Sequence, residues 1–420
     1  MKELRTIILA AGKGTRMKSD VPKVLHAICG KPIIRYVLDI ARALGSLKTY
    51  AVLGHKSNKV KEILSDDVVV VEQPKMLGTA DAVKCAENYF QNYRGDVLIL
   101  CADTPLLDKA TVKRVVQHQR KSKTACTFLT AVVHNPKGYG RVIRGNGGRV
   151  VAIREDKDAV GFERDIAEIN VGVYCCQSKE LFNALKEIKM NKKKKEFYLT
   201  DIVEFFFEQG LKVSTVETED PSEGLGVNTR EDLAEASAIL RQKILKGFML
   251  QGVTIVDPKT TYIDANAKIG YDTVVHPFTF IEKDVRIGSN CQIGPFARIR
   301  QGTRIDDKVE IGNFTEVSRT KIGSGTFMKH FSFVGDASIG ANANIGAGMV
   351  TANFDGQDKH STKIAEGAFI GSGAILIAPV KIGKKAVIGA GSVVPKGKII
   401  PDGSVAVGVP VKIISKKESR

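Results

Sequence analysis

The chain has no tryptophan, no run of 18 apolar residues and no Cys-x-x-Cys pair among its 420 residues. The missing apolar run excludes a membrane-spanning helix. The seven cysteines, at 29, 85, 101, 126, 175, 176 and 291, also lack any Cys/His ligand spacing, which argues against a structural zinc site. They sit in apolar surroundings, as reduced core thiols do. Met1-Lys2-Glu3 leads straight into a strand-like segment, without the apolar core and cleavage site of a signal peptide, so a cytoplasmic location is expected. The net charge is +17, yet the positive residues are spread along the whole chain, and the one dense run, Lys192 to Lys195, reads as a solvated loop. Small polyanionic substrates account for that balance at least as well as nucleic acid, and no nucleic-acid partner is expected.

Two familiar phosphate loops are missing as well. Position 17 is Met where the dinucleotide fingerprint needs its third glycine, and Lys13 is followed by Gly14 where a P-loop needs Ser or Thr. What stands there is Leu9-Ala10-Ala11-Gly12-Lys13-Gly14-Thr15-Arg16-Met17, closed by Pro22-Lys23, after the apolar run Ile7-Ile8-Leu9. Small residues and two glycines let the backbone approach a ligand with its N–H groups facing phosphate oxygens. Arg16 and Lys23 add positive charge at the same mouth, and a nucleoside triphosphate is the expected guest. The whole stretch resembles the signature of sugar-1-phosphate nucleotidylyltransferases.

Residues 1–228 alternate strand-like and helix-like segments, the pattern of an α/β domain with a mainly parallel sheet. Candidate strands are 6–9, 50–53, 68–71, 97–101, 127–133 and 171–175; candidate helices include 32–44 and 111–119. Ligands in such sheets gather beyond the carboxyl ends of the strands, where the glycine loop, Asp103 and Asn170 would lie. Residues 229–250 read as a connecting helix, opened by the capping box Thr229-x-x-Asp232 and carrying Leu233, Ala236, Leu240, Ile244 and Phe248 on one face.

From 251 to 420 the rhythm changes. Aliphatic residues recur every sixth place from Ile263 to Val317; a second phase carries Phe327, Phe333, Ile339 and Ile345, and a third runs from Ile364 to Ile400. Neither period 2 nor period 3.6 accounts for this, whereas a parallel β-helix with one inward residue per face does. The repeats resemble the hexapeptide acyltransferases, which implies a left-handed, three-faced β-helix and a homotrimer. The segment Asn353–Lys359 breaks the phase and reads as a loop thrown out from the coil.

Both halves, in this order, are similar to the bifunctional N-acetylglucosamine-1-phosphate uridylyltransferase/glucosamine-1-phosphate acetyltransferase family of bacterial cell-envelope synthesis. The resemblance also covers Gln73 with Leu77-Gly78-Thr79, Asp103-Thr104-Pro105-Leu106, Gly138-Tyr139-Gly140-Arg141, Glu155-Asp156-Lys157-Asp158, Glu168-Ile169-Asn170, Tyr198-Leu199-Thr200-Asp201 and Gly226-Val227-Asn228. It implies that UTP and N-acetylglucosamine-1-phosphate are the substrates of the first half, with Mg held by Asp103 and Asn228. Arg16 and Lys23 would act on the phosphates, with Ala10, Gly12 and Gly14 in the loop beneath them. Gln73, Gly78 and Thr79 would read uracil, while Gly140, Glu155 and Asn170 grip the acetylated sugar. In the second half, acetyl-CoA and glucosamine-1-phosphate are implied, with His330 as the base and Arg300, Asn344, Asn353 and Lys359 binding substrate. Ser318, Phe333 and Phe354 stand where the family has a lysine and two tyrosines. The alternatives are a uridylyltransferase whose β-helix only trimerises it or acetylates another acceptor, and a non-catalytic regulatory subunit.

Overall fold

The first apolar run forms β1 (Leu4–Ala10), in which adjacent Ile7 and Ile8 are both fully buried and point to opposite faces. A strand covered on both sides belongs inside a layered sheet. In this computed structural model, which describes residues 3–54, 58–191, 193 and 195–416, that sheet is the core of the first of two units. Lys192 and Lys194 of the basic run lie outside the described residues.

On one side β1 pairs in parallel with β2 (Lys48–Leu53), which pairs with β3 (Val68–Glu72); on the other it pairs with β4 (Asp96–Cys101). Beyond come β5 (Cys126–Val132), the hairpin β6 (Arg141–Arg144) and β7 (Val150–Arg154), then β8 (Glu168–Gln177) and β9 (Val213–Glu217). The order is β9-β5-β8-β4-β1-β2-β3, with β6 and β7 extending from β8. β8 alone on that path runs antiparallel to its neighbours, β4 and β5. Its N-terminal end, with Asn170, therefore shares an edge with the carboxyl ends of β1 and β4.

Two apolar layers follow from the alternation. Ile7, Val52 and Ile99 meet α2 (Thr79–Lys84), α4 (Ser178–Glu187) and α5 (Asp201–Glu208) on one face. Ile8, Leu53 and Leu100 meet α1 (Ile33–Ala43) and α3 (Lys109–Ser122) on the other. The β6–β7 hairpin and β9 were not among the sequence-based strands. The last helix, α6, runs Arg230–Leu250. Its cap is reciprocal: Asp232 N donates to Thr229 Oγ1 (3.1 Å), and Asp232 Oδ2 accepts from the backbone N–H groups of Thr229 and Asn228, both at 2.8 Å. Ala236 and Phe248 are buried as expected, and Leu245, absent from the expected face, is buried with them.

In the second unit, sheets of ten, eight and eight strands, counted among the described residues and parallel except for the last strand of the first, form the three faces of a β-helix. Each turn returns a buried aliphatic side chain above the last: Val275, Ile293 and Ile311 on face one, Ile281, Ile299 and Val317 on face two, Ile287, Ile305 and Ile322 on face three. The expected second phase is corrected here. Ile305 pairs with Ile322, and Val317 with Val334, seventeen residues on instead of eighteen, because one residue is missing at the corner between Val317 and Ile322; Ile322 pairs with Ile339 across a second such corner, after Val334. The shift turns Phe327 outward and leaves Phe333 half-buried, while Met328 and Val334 take the fully buried inward places. The coil closes with Lys412–Lys416, antiparallel to Ser404–Val407. No helix among the described residues is long and apolar enough to cross a membrane.

Candidate functional site

Where β1 and β4 end, the first unit holds a cavity of about 560 Å³. Its lining includes Ala10, Gly12, Lys23, Gln73, Gly78, Thr79, Asp103 and Glu155 of the expected residues, and Met76, Glu196 and Tyr198, to which no role was given. Arg16 is exposed on the single helical turn Thr15–Met17 and does not line the cavity. Lys23 does, and it is the centre of the site. Its ammonium donates to Asp103 Oδ2 at 2.5 Å and to Asn228 Oδ1 at 3.1 Å, joining residues from three distant parts of the chain.

The surrounding backbone explains that convergence. Asp103 follows β4, and its carbonyl accepts from Val227 N at 2.8 Å, which fixes the neighbouring Asn228. Asn228 Nδ2 donates to Gly226 O (3.2 Å), so Oδ1 is the atom turned to Lys23. Gly14 has φ +60°, and a Cβ there would stand 2.8 Å from Lys23 Cβ. This is one position where glycine is required, both for the left-handed backbone and for the close approach. The other is Gly78, with φ +109°, where a Cβ would meet Phe197 O at 2.4 Å.

Gln73 is almost fully buried, and its amide nitrogen donates to Gly78 O (3.1 Å) and Asp81 Oδ2 (2.7 Å). Both partners can only accept, so the orientation of the amide is dictated and its oxygen is left as the acceptor. Thr79 Oγ1 accepts from Leu199 N at 2.9 Å, tying this segment to residues 197–199.

On the sugar side of the expected site, Glu155 accepts from Thr200 Oγ1 at 2.9 Å. Burial pushes its carboxyl pKa upward, against that hydrogen bond. Asn170 N donates to Gly140 O (2.8 Å), Asn170 Nδ2 to the Tyr174 hydroxyl (2.7 Å), and Gly172 N to Asn170 Oδ1 (3.1 Å). Gly140, Asn170 and Asn228 do not line the cavity itself. Burial, with Asp103 next in weight, pushes the Cys101 thiol up to about 12, so this wall of the cavity carries a neutral, unreactive sulfur. Asp201 is raised to about 6 by burial, then by Glu204 and Glu155.

Asp103 and Asn228 turn one oxygen each, Oδ2 and Oδ1, to the Lys23 ammonium, and no cluster of three His, Cys, Asp or Glu occurs among the described residues. Two converging oxygens that already share one cation suit magnesium, which commonly takes one or two protein carboxylates and fills its shell with water and phosphate.

In the second unit His330 lies at the corner between face one and face two. Its carbonyl is anchored by Thr315 Oγ1 at 3.1 Å, while its imidazole is exposed and has no hydrogen-bond partner among the described residues. Arg300 pairs with Glu316 (2.9 Å) on the face-two side. Arg319 grips Asp336 through two bonds, 2.6 and 2.7 Å, and also donates to Ser318 Oγ (2.8 Å). Asn353 Nδ2 donates to the same Asp336 carboxylate. Asn344 pairs in register with Phe327 and Phe369 on face one, so it is not brought to Arg300 and Asn353 within a single sheet. Lys359 is exposed on the expected loop, which is closed by a bridge between Phe354 and Lys359. Asp355 holds that loop, accepting from His360 Nε2 (2.6 Å) and Lys396 Nζ (3.1 Å).

Comparison with known proteins agrees with this two-part layout. The MobA-like NTP transferase domain family matches residues 6–202, and the bacterial transferase hexapeptide family (six repeats) matches residues 284–319 and 361–396. The chain is 43% identical to the bifunctional protein GlmU of Shouchella clausii over 91% of each chain. It is 42% identical to that of a Geobacillus species over 91% of this chain and 90% of the relative, and 41% identical to that of Pelotomaculum thermopropionicum over 90% of each.

Proposed function

The chain belongs to the bifunctional GlmU family, a nucleotidyltransferase joined to a hexapeptide acetyltransferase, and from that premise we propose how its residues make UDP-N-acetylglucosamine. In the first unit a phosphate oxygen of N-acetylglucosamine-1-phosphate attacks the α-phosphorus of UTP. The bond from that phosphorus to the bridging oxygen of the β-phosphate breaks, and pyrophosphate leaves. Alignment and charge neutralisation carry such a transfer.

Ala10, Gly12 and Gly14 bring the backbone against the nucleotide phosphates, and Arg16 and Lys23 neutralise them. The Gln73 amide oxygen accepts the imide N–H of uracil, beside Gly78 and Thr79. A cytosine ring, with a bare acceptor at that position, would leave this buried oxygen unpaired. Glu155, Asn170 and Gly140 hold the acetylated sugar. Asp103 and Asn228 would hold magnesium, which would supply further positive charge to the phosphate oxygens when bound.

In the second unit the amine of glucosamine-1-phosphate attacks the thioester carbon of acetyl-CoA. The carbon–sulfur bond breaks, His330 takes the proton from the nitrogen, and passing it to the departing thiolate releases coenzyme A as the thiol. Arg300, Asn344, Asn353 and Lys359 bind the substrates. Because Asn344 stands on a different face from Arg300, a second copy of the chain is needed to complete the site, and we read the enzyme as a cytoplasmic homotrimer.

The observation that carries the first activity is the shared hold of Asp103 and Asn228 on one cation. Asp103→Ala should abolish pyrophosphate release from UTP and N-acetylglucosamine-1-phosphate while the melting temperature stays near that of the parent. Substantial remaining turnover would remove Asp103 from the mechanism.

A further inference from the structure

The third face of the β-helix carries a charge pattern that neither transfer uses. Strand pairing stacks Lys268, Arg286, Arg304, Lys321, Lys363 and Lys381 in one outward column, interrupted by Ser338 between the fourth and fifth. All six are exposed, and none makes a side-chain hydrogen bond or ion pair with another described residue. Neighbouring strands are about 4.8 Å apart, so six cations lie in single file along roughly 29 Å. Like charges directly opposite one another on adjacent strands destabilise a sheet.

Face two of the same coil treats its cations differently. Arg298 is paired with Glu282 at 2.8 Å and Arg300 with Glu316 at 2.9 Å. On face three the cations are left free, and two shallow clefts run along them. One, of about 610 Å³, is lined by Lys268, Arg286 and Arg304; the other, of about 210 Å³, by Lys363, Lys381 and Lys398. The one carboxylate lining the larger cleft, Asp284, accepts from Gln301 Nε2 at 3.1 Å.

We propose that this face docks on an anionic phospholipid bilayer, whose headgroup phosphates neutralise the column. Three features favour a bilayer over other polyanions. The column is straight and carried on a rigid sheet, which suits a planar array of charge and not the curved groove of a duplex. Its outward positions include no aromatic residue on which bases of a single strand would stack. The column ends in Ile399, 60% exposed, an apolar side chain suited to the headgroup boundary. Juxtamembrane cations of this kind act together and are weakened by salt. The inference rests on the β-helix alone and stands apart from the assignment of either reaction.

The test is co-sedimentation of the full chain with vesicles of phosphatidylglycerol and phosphatidylcholine, or of phosphatidylcholine alone, at about 0.05 M and about 0.5 M salt. The chain should sediment with the anionic vesicles at low salt only, and with neutral vesicles at neither. The triple variant Arg286→Ser, Arg304→Ser, Lys381→Ser should lose at least about tenfold in apparent affinity. Lys113→Ser, Lys121→Ser, Lys179→Ser removes the same charge from exposed helix positions and should bind as the parent does. Pyrophosphate release and melting temperature report whether each variant is folded, and the lipid and salt arms on the unaltered chain need no variant. Equal binding to neutral vesicles, equal loss in both triple variants, or no binding to anionic vesicles at low salt would each overturn the proposal. Column-dependent binding of DNA without binding of vesicles would do so as well.

Discussion

Lys23 shows how much one side chain can organise. Its ammonium holds Asp103 and Asn228 together, and it reaches them because Gly14 leaves room beside its Cβ. Gly14→Ala places a methyl group 2.8 Å from that carbon on a backbone with φ +60°. Steady-state pyrophosphate release should then fall at least about tenfold in kcat/KM, with little change in the fold, because displacement of about 1 Å at a reacting centre is costly. Asp201 makes a second prediction at this scale. A carboxylate at a helix N-terminus is ordinarily favoured, yet burial, with Glu204 and Glu155, wins and raises it to about 6. A folded-state pKa above the unfolded value means that stability falls as pH rises from about 4 to about 6 and then levels off. Asp201→Asn should therefore melt higher than the parent at pH 7.5, and thermal melts should show that advantage shrinking toward pH 4. An advantage that did not shrink would remove the titration of Asp201 as its cause. The glycine loop and Lys23 were legible in the sequence because phosphate chemistry demands close backbone approach and positive charge near a strand end, whereas Gln73, Gly78, Thr79, Asp103 and Glu155 were assigned through the family resemblance. Met76 and Glu196 were not legible, and Tyr198 stood in a motif without a role, since they reach the cavity only through the pairing of the 77–79 and 197–199 segments.

Among the elements, α6 couples stability to the site. Asp232 caps the helix and, through the same oxygen, holds the backbone N–H of Asn228. Asp232→Ala should cost about 1 kcal/mol in denaturant unfolding, the usual cost of a lost cap. It should also raise the magnesium concentration needed for half-maximal pyrophosphate release, which a purely structural cap would leave unchanged. The capping box and the sixfold period could both be read in advance, because each is a local rule. The phase of the β-helix could not be carried past Val317. One residue is missing at each of two corners, after Val317 and after Val334, and an aliphatic count carried back at period six from Ile345 lands on Phe333 and Phe327 instead of Val334 and Met328. The antiparallel direction of β8 was likewise hidden, although Asn170 at the ligand edge depends on it.

For the whole molecule, the two units answer to two different periodicities, and the resemblance of each to a transferase domain is carried by a different kind of signal. The nucleotidyltransferase half is marked by short irregular motifs, and the β-helix by its repeat. The net charge of +17 looks featureless along the chain. Six of its cations, seventeen or eighteen residues apart along the sequence except where Ser338 intervenes, fall into one column only when the coils are stacked. The central claim is that one chain carries two consecutive transfers at separate sites. The most direct test supplies glucosamine-1-phosphate, acetyl-CoA, UTP and magnesium, and follows UDP-N-acetylglucosamine by mass. The parent should make it; Asp103→Ala should stop at N-acetylglucosamine-1-phosphate with coenzyme A released. His330→Ala should slow thiol release by about 10²–10⁴, and a mixture of the two variants should restore the product through the released intermediate. Thiol release unaffected by His330→Ala, or a mixture that makes no product although each variant retains its other reaction, would contradict the account.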